Sequence, residues 1–143
     1  MNYGVGVDLL RVERMQKVHA RHGERLVQRI LMREEIVELR RRKNPVRRLA
    51  MSFAAKEAFV KALGTGFRGV SYRDAGVCHE ASGKPSLIFS ARMRQRLKKL
   101  GITATQVSLA DEGGLVCALV VLERADVRPP DRAMSAVRRR AAR

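Results

Sequence analysis

The run Phe53 to Gly66 reads FAAKEAFVKALGTG, and it holds the densest chemistry in the chain. Glu57 and Lys61 stand four residues apart, which on a helix sets a carboxylate and an ammonium on one face. A Gly64-Thr65-Gly66 break follows at once, and a second carboxylate, Asp8, ends the short apolar stretch Gly4-Val5-Gly6-Val7. Two hard oxygen ligands, a cation and a glycine turn that lets backbone approach a phosphate are parts suited to a metal-bound diphosphate. Taken singly, each has a plainer use. Asp8 at a strand end caps a helix starting near Val12, and Glu57 with Lys61 makes an exposed ion pair.

The elements that must position these residues follow from periodicity. Tyr3 to Leu10 is short, apolar and valine-rich, and reads as a strand. From Val12 to about Leu31 the pattern is helical, with Gly23 expected to break or kink it. Arg14, Lys17, Arg21 and Arg25 recur at steps of three and four, as a basic stripe on that helix. Glu34 to Arg42 reads as a further short helix. Asn44-Pro45 is a helix start, since Asn caps and Pro suits the first turn, and this helix runs to Leu63 with Gly64 ending it. Val70 to Cys78 and Ser86 to Phe89 read as strands, with Gly83-Lys84-Pro85 turning between them. Ala91 to Leu100 is an amphipathic helix stopped by Gly101. Thr103 to Leu109 and Leu115 to Glu123 form a hairpin around Ala110 to Gly114. Strands and helices mixed without strict alternation indicate an α+β fold with a largely antiparallel sheet.

At 143 residues the chain fits one domain with a real core. Thirty Lys and Arg against fourteen Asp and Glu give a net charge of +16, which points to an anionic partner: nucleic acid, an acidic protein or a phosphorylated substrate. Arg124 to Arg143 holds seven arginines and two aspartates, net +5, and too few apolar groups to pack, so residues 124–143 are expected to be a disordered basic tail behind a domain spanning 1–123. Cys78 and Cys117, in apolar runs without a CxxC spacing, read as two reduced core thiols. The longest apolar run, Leu115 to Leu122, is too short for a membrane span, and the amino terminus lacks a basic leader, so a cytoplasmic protein is expected. His19 and His22 share a helix face, but no third metal ligand accompanies them.

Four blocks now stand in order: GVGVD before the basic helix, KEAFVKALGTG, GKP at Gly83 to Pro85, and VSLADE at Val107 to Glu112. Together, over about residues 3–123, they resemble the holo-[acyl-carrier-protein] synthases, the small 4′-phosphopantetheinyl transferases of fatty-acid synthesis. The resemblance implies transfer of 4′-phosphopantetheine from coenzyme A to a serine of an acyl carrier protein, with magnesium as cofactor. It assigns Asp8 and Glu57 to the metal and Lys61 to a phosphate oxygen. It implies coenzyme A contacts at Lys61, Gly64, Thr65, Gly66, Lys84 and Pro85. Arg14 matches an arginine of the family's first helix, and Arg21 and Arg25 extend it by spacing toward the acidic carrier. A homotrimer with shared active sites is also implied, with no nucleic acid and no membrane as partners.

The chain departs from the family pattern at three places. Ser52 stands where an arginine is often found, the acid common a few positions after the GxD aspartate is replaced by Arg11 or displaced to Glu13, and Ala110-Asp111 stands where many members have Ser-His. The last leaves the general base open among a metal-bound water, Asp111 and a carboxylate of the carrier. Two other readings compete. A basic nucleic-acid-binding protein is suggested by the charge but opposed by 4% aromatics and no tryptophan. A metal-dependent nuclease could use the same Asp8, Glu57 and Lys61.

Overall fold

The computed structural model describes residues 1–126, and the Arg-rich segment 127–143 lies outside the described residues. The chain order is β1 (Asn2–Arg11), α1 (Val12–His22), α2 (Glu24–Ile30), α3 (Arg33–Leu39), α4 (Pro45–Leu63), β2 (Ala75–His79), β3 (Pro85–Phe89), α5 (Ala91–Lys99), β4 (Ile102–Glu112) and β5 (Leu115–Arg124). Strands β1, β5 and β4 form one antiparallel sheet in that order, and β2 with β3 forms a separate hairpin. The α+β expectation with antiparallel strands holds.

Helix α4 is the axis of the molecule. Asn44 starts it by accepting a hydrogen bond from the Arg47 amide, Pro45 fits the first turn, and Gly64 ends it in the left-handed conformation. It is buried nearly all round, because the sheet covers one side and β2 and the short helices cover the rest. Leu49, Phe59 and Val60 are buried to 1% exposure or less, and burying each such side chain contributes roughly 1.5–3 kcal/mol. Strand β1 lies against α4 at backbone distance. A Cβ on Gly4 would fall 1.9 Å from the Ala62 carbonyl oxygen, and one on Gly6 1.9 Å from that of Ala58. The glycines of GVGVD are therefore packing residues first. They bring Asp8, two residues on, down onto the helix.

The opposite face of the same sheet is bare in the single chain, with Val5, Val7, Leu9 and Leu119 between 41% and 64% exposed.

The structure departs from the sequence reading at several boundaries. Gly23, at φ 52°, divides the long basic helix into α1 and α2, so Arg25 leaves the line of Arg14 and Arg21. The strand expected from Val70 begins only at Ala75. Before it, Asp74 accepts from the Ser71 amide at 2.8 Å and folds 71–74 into a turn. Ala110 to Glu112 belong to β4 rather than to a loop, because Gly113 and Gly114, both at positive φ, close the hairpin in two residues. Arg124 is the last residue of β5, paired with Ile102. Both cysteines are free and only half-buried, and burial pushes the Cys78 thiol up to about 11. None of the helices among the described residues is long and apolar enough to cross a membrane.

Candidate active site

The antiparallel pairing of β1 with β5 and the glycine contacts with α4 set Asp8 beside the last turns of the helix. Lys61 Nζ donates to Asp8 Oδ1 at 3.0 Å and to the Val7 carbonyl at 3.0 Å. The Asp8 carboxylate is 15% exposed and the lysine 52%, so the pair opens to solvent on the lysine side. Glu57, one turn before Lys61, feels both burial and the negative charge of Asp8. Both push its pKa up, and Lys61 only partly offsets them. Two carboxylates near enough to repel each other, with one half-exposed ammonium paired to Asp8, leave negative charge in excess at the site. No group of three His, Cys, Asp or Glu suited to a metal exists among the described residues. That donor set fits magnesium, which takes one or two carboxylates and fills the rest with water and phosphate oxygens, better than a closed zinc site. His19 and His22 join no such group.

Beside the carboxylates lies an aromatic wall. Tyr72 stacks on Phe53 with centroids 5.7 Å apart and meets Phe67 at 4.2 Å. Burial and then the Glu57 charge raise the pKa of its hydroxyl, which puts the ring within electrostatic reach of that carboxylate. Phe53 and Tyr72 close one side of a cavity of about 330 Å³, lined also by Met15, Leu26, Arg14 and Arg29. Among the expected partner-binding arginines, Arg14 reaches this cavity. Arg21 and Arg25 are exposed elsewhere on α1 and α2. Arg29, which the spacing argument passed over, stands with Arg14 because the Gly23 break rotates α2. Lys17 of the stripe pairs with Glu13 at 3.1 Å.

The remaining expected residues lie elsewhere. Asp111 forms an ion pair with Arg47, in the first turn of α4. Gly83 lines a cavity of about 430 Å³ with Arg42, Lys43, Arg47, Arg48 and His79, and Lys84 and Pro85 follow it in the chain. Arg48 is buried. It donates to Glu38 Oε2 and the Val77 carbonyl, each at 3.3 Å, and meets His79 Nε2 at 3.0 Å. A guanidinium only donates, so Nε2 is the acceptor and the ring proton sits on Nδ1, 2.9 Å from Glu38 Oε1. Burial and the Arg48 charge together hold the His79 pKa below the ordinary histidine value.

Sequence reasoning missed this cationic cluster. Its signal is the run RRRKNPVRR, whose local pattern marks only a helix end and a helix start. Residues Arg47 and Lys61 are fourteen positions apart on one helix, which at 1.5 Å per residue is roughly 21 Å. Asp8, Glu57, Lys61 and Gly64 to Gly66 therefore gather toward one end of α4, and Lys84, Pro85 and Asp111 toward the other. The expected contact set is divided.

Comparison with known proteins gives a consistent family. Residues 4–120 match the family model of the 4′-phosphopantetheinyl transferase superfamily. A holo-[acyl-carrier-protein] synthase of Thiobacillus denitrificans is 44% identical over 125 residues, covering 87% of this chain and 95% of the relative. The crystal structure of a holo-[acyl-carrier-protein] synthase from Neisseria meningitidis superposes with a TM-score of 0.83 at 41% identity, covering 87% of this chain and 100% of that one. One from Bacillus anthracis, in complex with coenzyme A (3′,5′-ADP), superposes at 0.72 with 30% identity, covering 87% and 99%.

Proposed function

Because the chain belongs to the 4′-phosphopantetheinyl transferase superfamily and is a holo-[acyl-carrier-protein] synthase, we propose that it transfers 4′-phosphopantetheine through Asp8, Glu57 and Lys61 with magnesium as cofactor. The reaction converts an apo-acyl carrier protein and coenzyme A into the holo-carrier and adenosine 3′,5′-bisphosphate. The serine oxygen forms a bond to the phosphorus that carries the pantetheine, and the bond from that phosphorus to the bridging anhydride oxygen breaks. The serine proton leaves to a base, and the electron pair leaves with the bisphosphate. The observation that carries this reading is the juxtaposition of Lys61 Nζ with Asp8 Oδ1 at 3.0 Å beside a carboxylate, Glu57, whose proton affinity is raised by burial and by Asp8.

Asp8 and Glu57 would hold the metal, which when bound neutralises charge on the diphosphate. Lys61, whose hydrogen bond to Asp8 is half-exposed, can turn to a phosphate oxygen as a point charge. Gly64-Thr65-Gly66 lets the chain pass close to the nucleotide. Asp111 is better suited to orienting Arg47 over the basic cavity than to accepting the serine proton, since its carboxylate is already committed to that guanidinium. Arg14 and Arg29, at the rim of the aromatic cavity, draw the acidic carrier, and Arg21 and Arg25, exposed elsewhere on α1 and α2, add to the positive field that attracts it.

The divided contact set supports a homotrimer. Two anion-binding ends on one helix, roughly 21 Å apart, can serve one coenzyme A when Lys84, Pro85 and the Arg47 cluster come from a neighbouring subunit. The exposed face of Val5, Val7, Leu9 and Leu119 supplies the apolar surface for that association. The test is sedimentation of the wild type beside a Val7→Asp variant. A trimer that becomes an inactive monomer supports shared sites, and a fully active monomer contradicts them.

A further inference from the structure

Lys56 precedes the proposed metal ligand Glu57, yet it points the other way and is 2% exposed. Its Nζ donates to Glu35 Oε2 at 2.7 Å, to the Tyr72 carbonyl at 2.9 Å and to the Ala75 carbonyl at 2.5 Å. An ammonium has three protons, and all three are used. Glu35, also 2% exposed, accepts from the Met32 amide at 2.8 Å and the Val77 amide at 2.9 Å besides Lys56. Its carboxylate rests on Gly76, where an added Cβ would stand 2.6 Å from Cδ. One ion pair thus joins α3, α4, the start of β2 and the end of the loop 64–74.

That loop matters because it begins with Gly64-Thr65-Gly66 and ends with Tyr72. Its far end is held by the Lys56 bond to Tyr72 and by Asp74, which accepts from Ser71 and pairs with Arg92. Between them, Arg96 donates to the Gly69 carbonyl at 3.1 Å. The Tyr72 side chain forms the wall of the cavity that Arg14 borders. A buried pair of this kind is weak as a source of stability, because desolvation of both charges offsets their attraction. Its value lies in what it orients.

We propose that Glu35 and Lys56 are positioning residues that fix the Tyr72 backbone, and so the aromatic wall of the carrier-protein cavity, relative to the metal-binding face of α4. The proposal rests on the transferase reading for the identity of the cavity's occupant. The placement of Tyr72 by Lys56 does not depend on it.

The chain has two tyrosines, Tyr3 and Tyr72, and no tryptophan, so in a Tyr3→Phe background the tyrosine band of near-ultraviolet circular dichroism reports Tyr72 alone. The experiment compares this background protein with a Lys56→Met/Glu35→Gln double variant, which removes both buried charges together. The double variant is expected to remain folded, to lose the Tyr72 band, and to raise KM for the apo-carrier about tenfold, about 1.4 kcal/mol. KM for coenzyme A should change less than about twofold, within about 0.4 kcal/mol. A folded double variant with an unchanged band and unchanged carrier KM overturns the proposal. Gly76→Ala, which displaces the Glu35 carboxylate without touching a charge, is the second variant and decides the matter if the first does not fold. It should shift the band and the carrier KM in the same direction, and a folded Gly76→Ala protein unaltered in both also overturns it. A background protein that shows the band but transfers nothing would refute the transferase reading instead.

Discussion

Two lysines five positions apart on α4 each pair with a carboxylate from a distant part of the chain, and they do opposite things. Lys56 and Glu35 are sealed, each side chain 1% exposed, with every proton and most lone pairs assigned. Lys61 and Asp8 meet at a similar distance, but the lysine is half in water and the neighbouring Glu57 carboxylate adds a negative charge that one ammonium does not balance. Each is an ammonium paired with a carboxylate. Burial and the number of committed partners separate a fixed joint from an open pair, the one proposed to exchange its lysine contact for a metal and a phosphate.

The comparison is broken most forcefully by neutralising the buried lysine. Lys56→Met leaves the buried Glu35 carboxylate without its cationic partner, and breaking a buried pair in this way costs about 3–5 kcal/mol. A urea melt should show it as a large fall in midpoint. A loss below about 1 kcal/mol, the ceiling for surface pairs, would mean that the two lysines are not different in kind.

Lys61→Met should do the reverse. Its pair is solvent-facing, so stability should change by less than about 1 kcal/mol, whereas transfer should fall on the order of 10²-fold, as when one stabilising donor is removed from a developing charge. Unfolding and turnover measured on the same preparation separate the two.

His79 sharpens the comparison at the other end of α4. Glu38, Arg42 and Arg48 surround it, and burial with Arg48 keeps it neutral. The unfolded chain binds a proton near pH 6.5, the folded chain only at lower pH. Stability should therefore fall as pH drops below about 6.5 and level off beneath the folded pKa. Thermal melts from pH 7.5 to 5 should show this slope, and His79→Asn should flatten it.

The smallest effect on stability is expected for Glu57→Gln. The folded protein disfavours this carboxylate as an anion, so at neutral pH the amide should leave the melting temperature unchanged or slightly higher while weakening metal binding. Magnesium titration beside a thermal melt checks both. A variant that melts far lower and binds metal normally would make Glu57 structural.

How much of this was legible in the sequence follows the same division. The ends of α4 were, because Asn44-Pro45 and Gly64 act through local geometry. So was the grouping of Asp8, Glu57 and Lys61, since one helical turn joins two of them and the family resemblance adds Asp8 as a second hard oxygen ligand; the glycine contacts that bring its strand onto the helix were not. Lys56 was not, because a lysine inside an apolar run reads as a solvated residue until three acceptors from α3, β2 and the loop are known to converge on it. Arg29 was hidden by the Gly23 break, which changes which arginines share a side. The separation of Lys84, Pro85 and Asp111 from Asp8 could not be read either. Four motifs in order say nothing of which end of a helix each will occupy.

The role proposed for Asp8, Glu57 and Lys61 is magnesium-dependent phosphopantetheinyl transfer. Intact-mass spectrometry of an apo-acyl carrier protein incubated with this chain and coenzyme A tests it most directly, with magnesium in one arm and excess chelator in the other. The account predicts that the carrier gains one phosphopantetheine in the magnesium arm, none with chelator, and far less with Lys61→Met. Equal modification in the presence of chelator, or full activity of Lys61→Met, would contradict it.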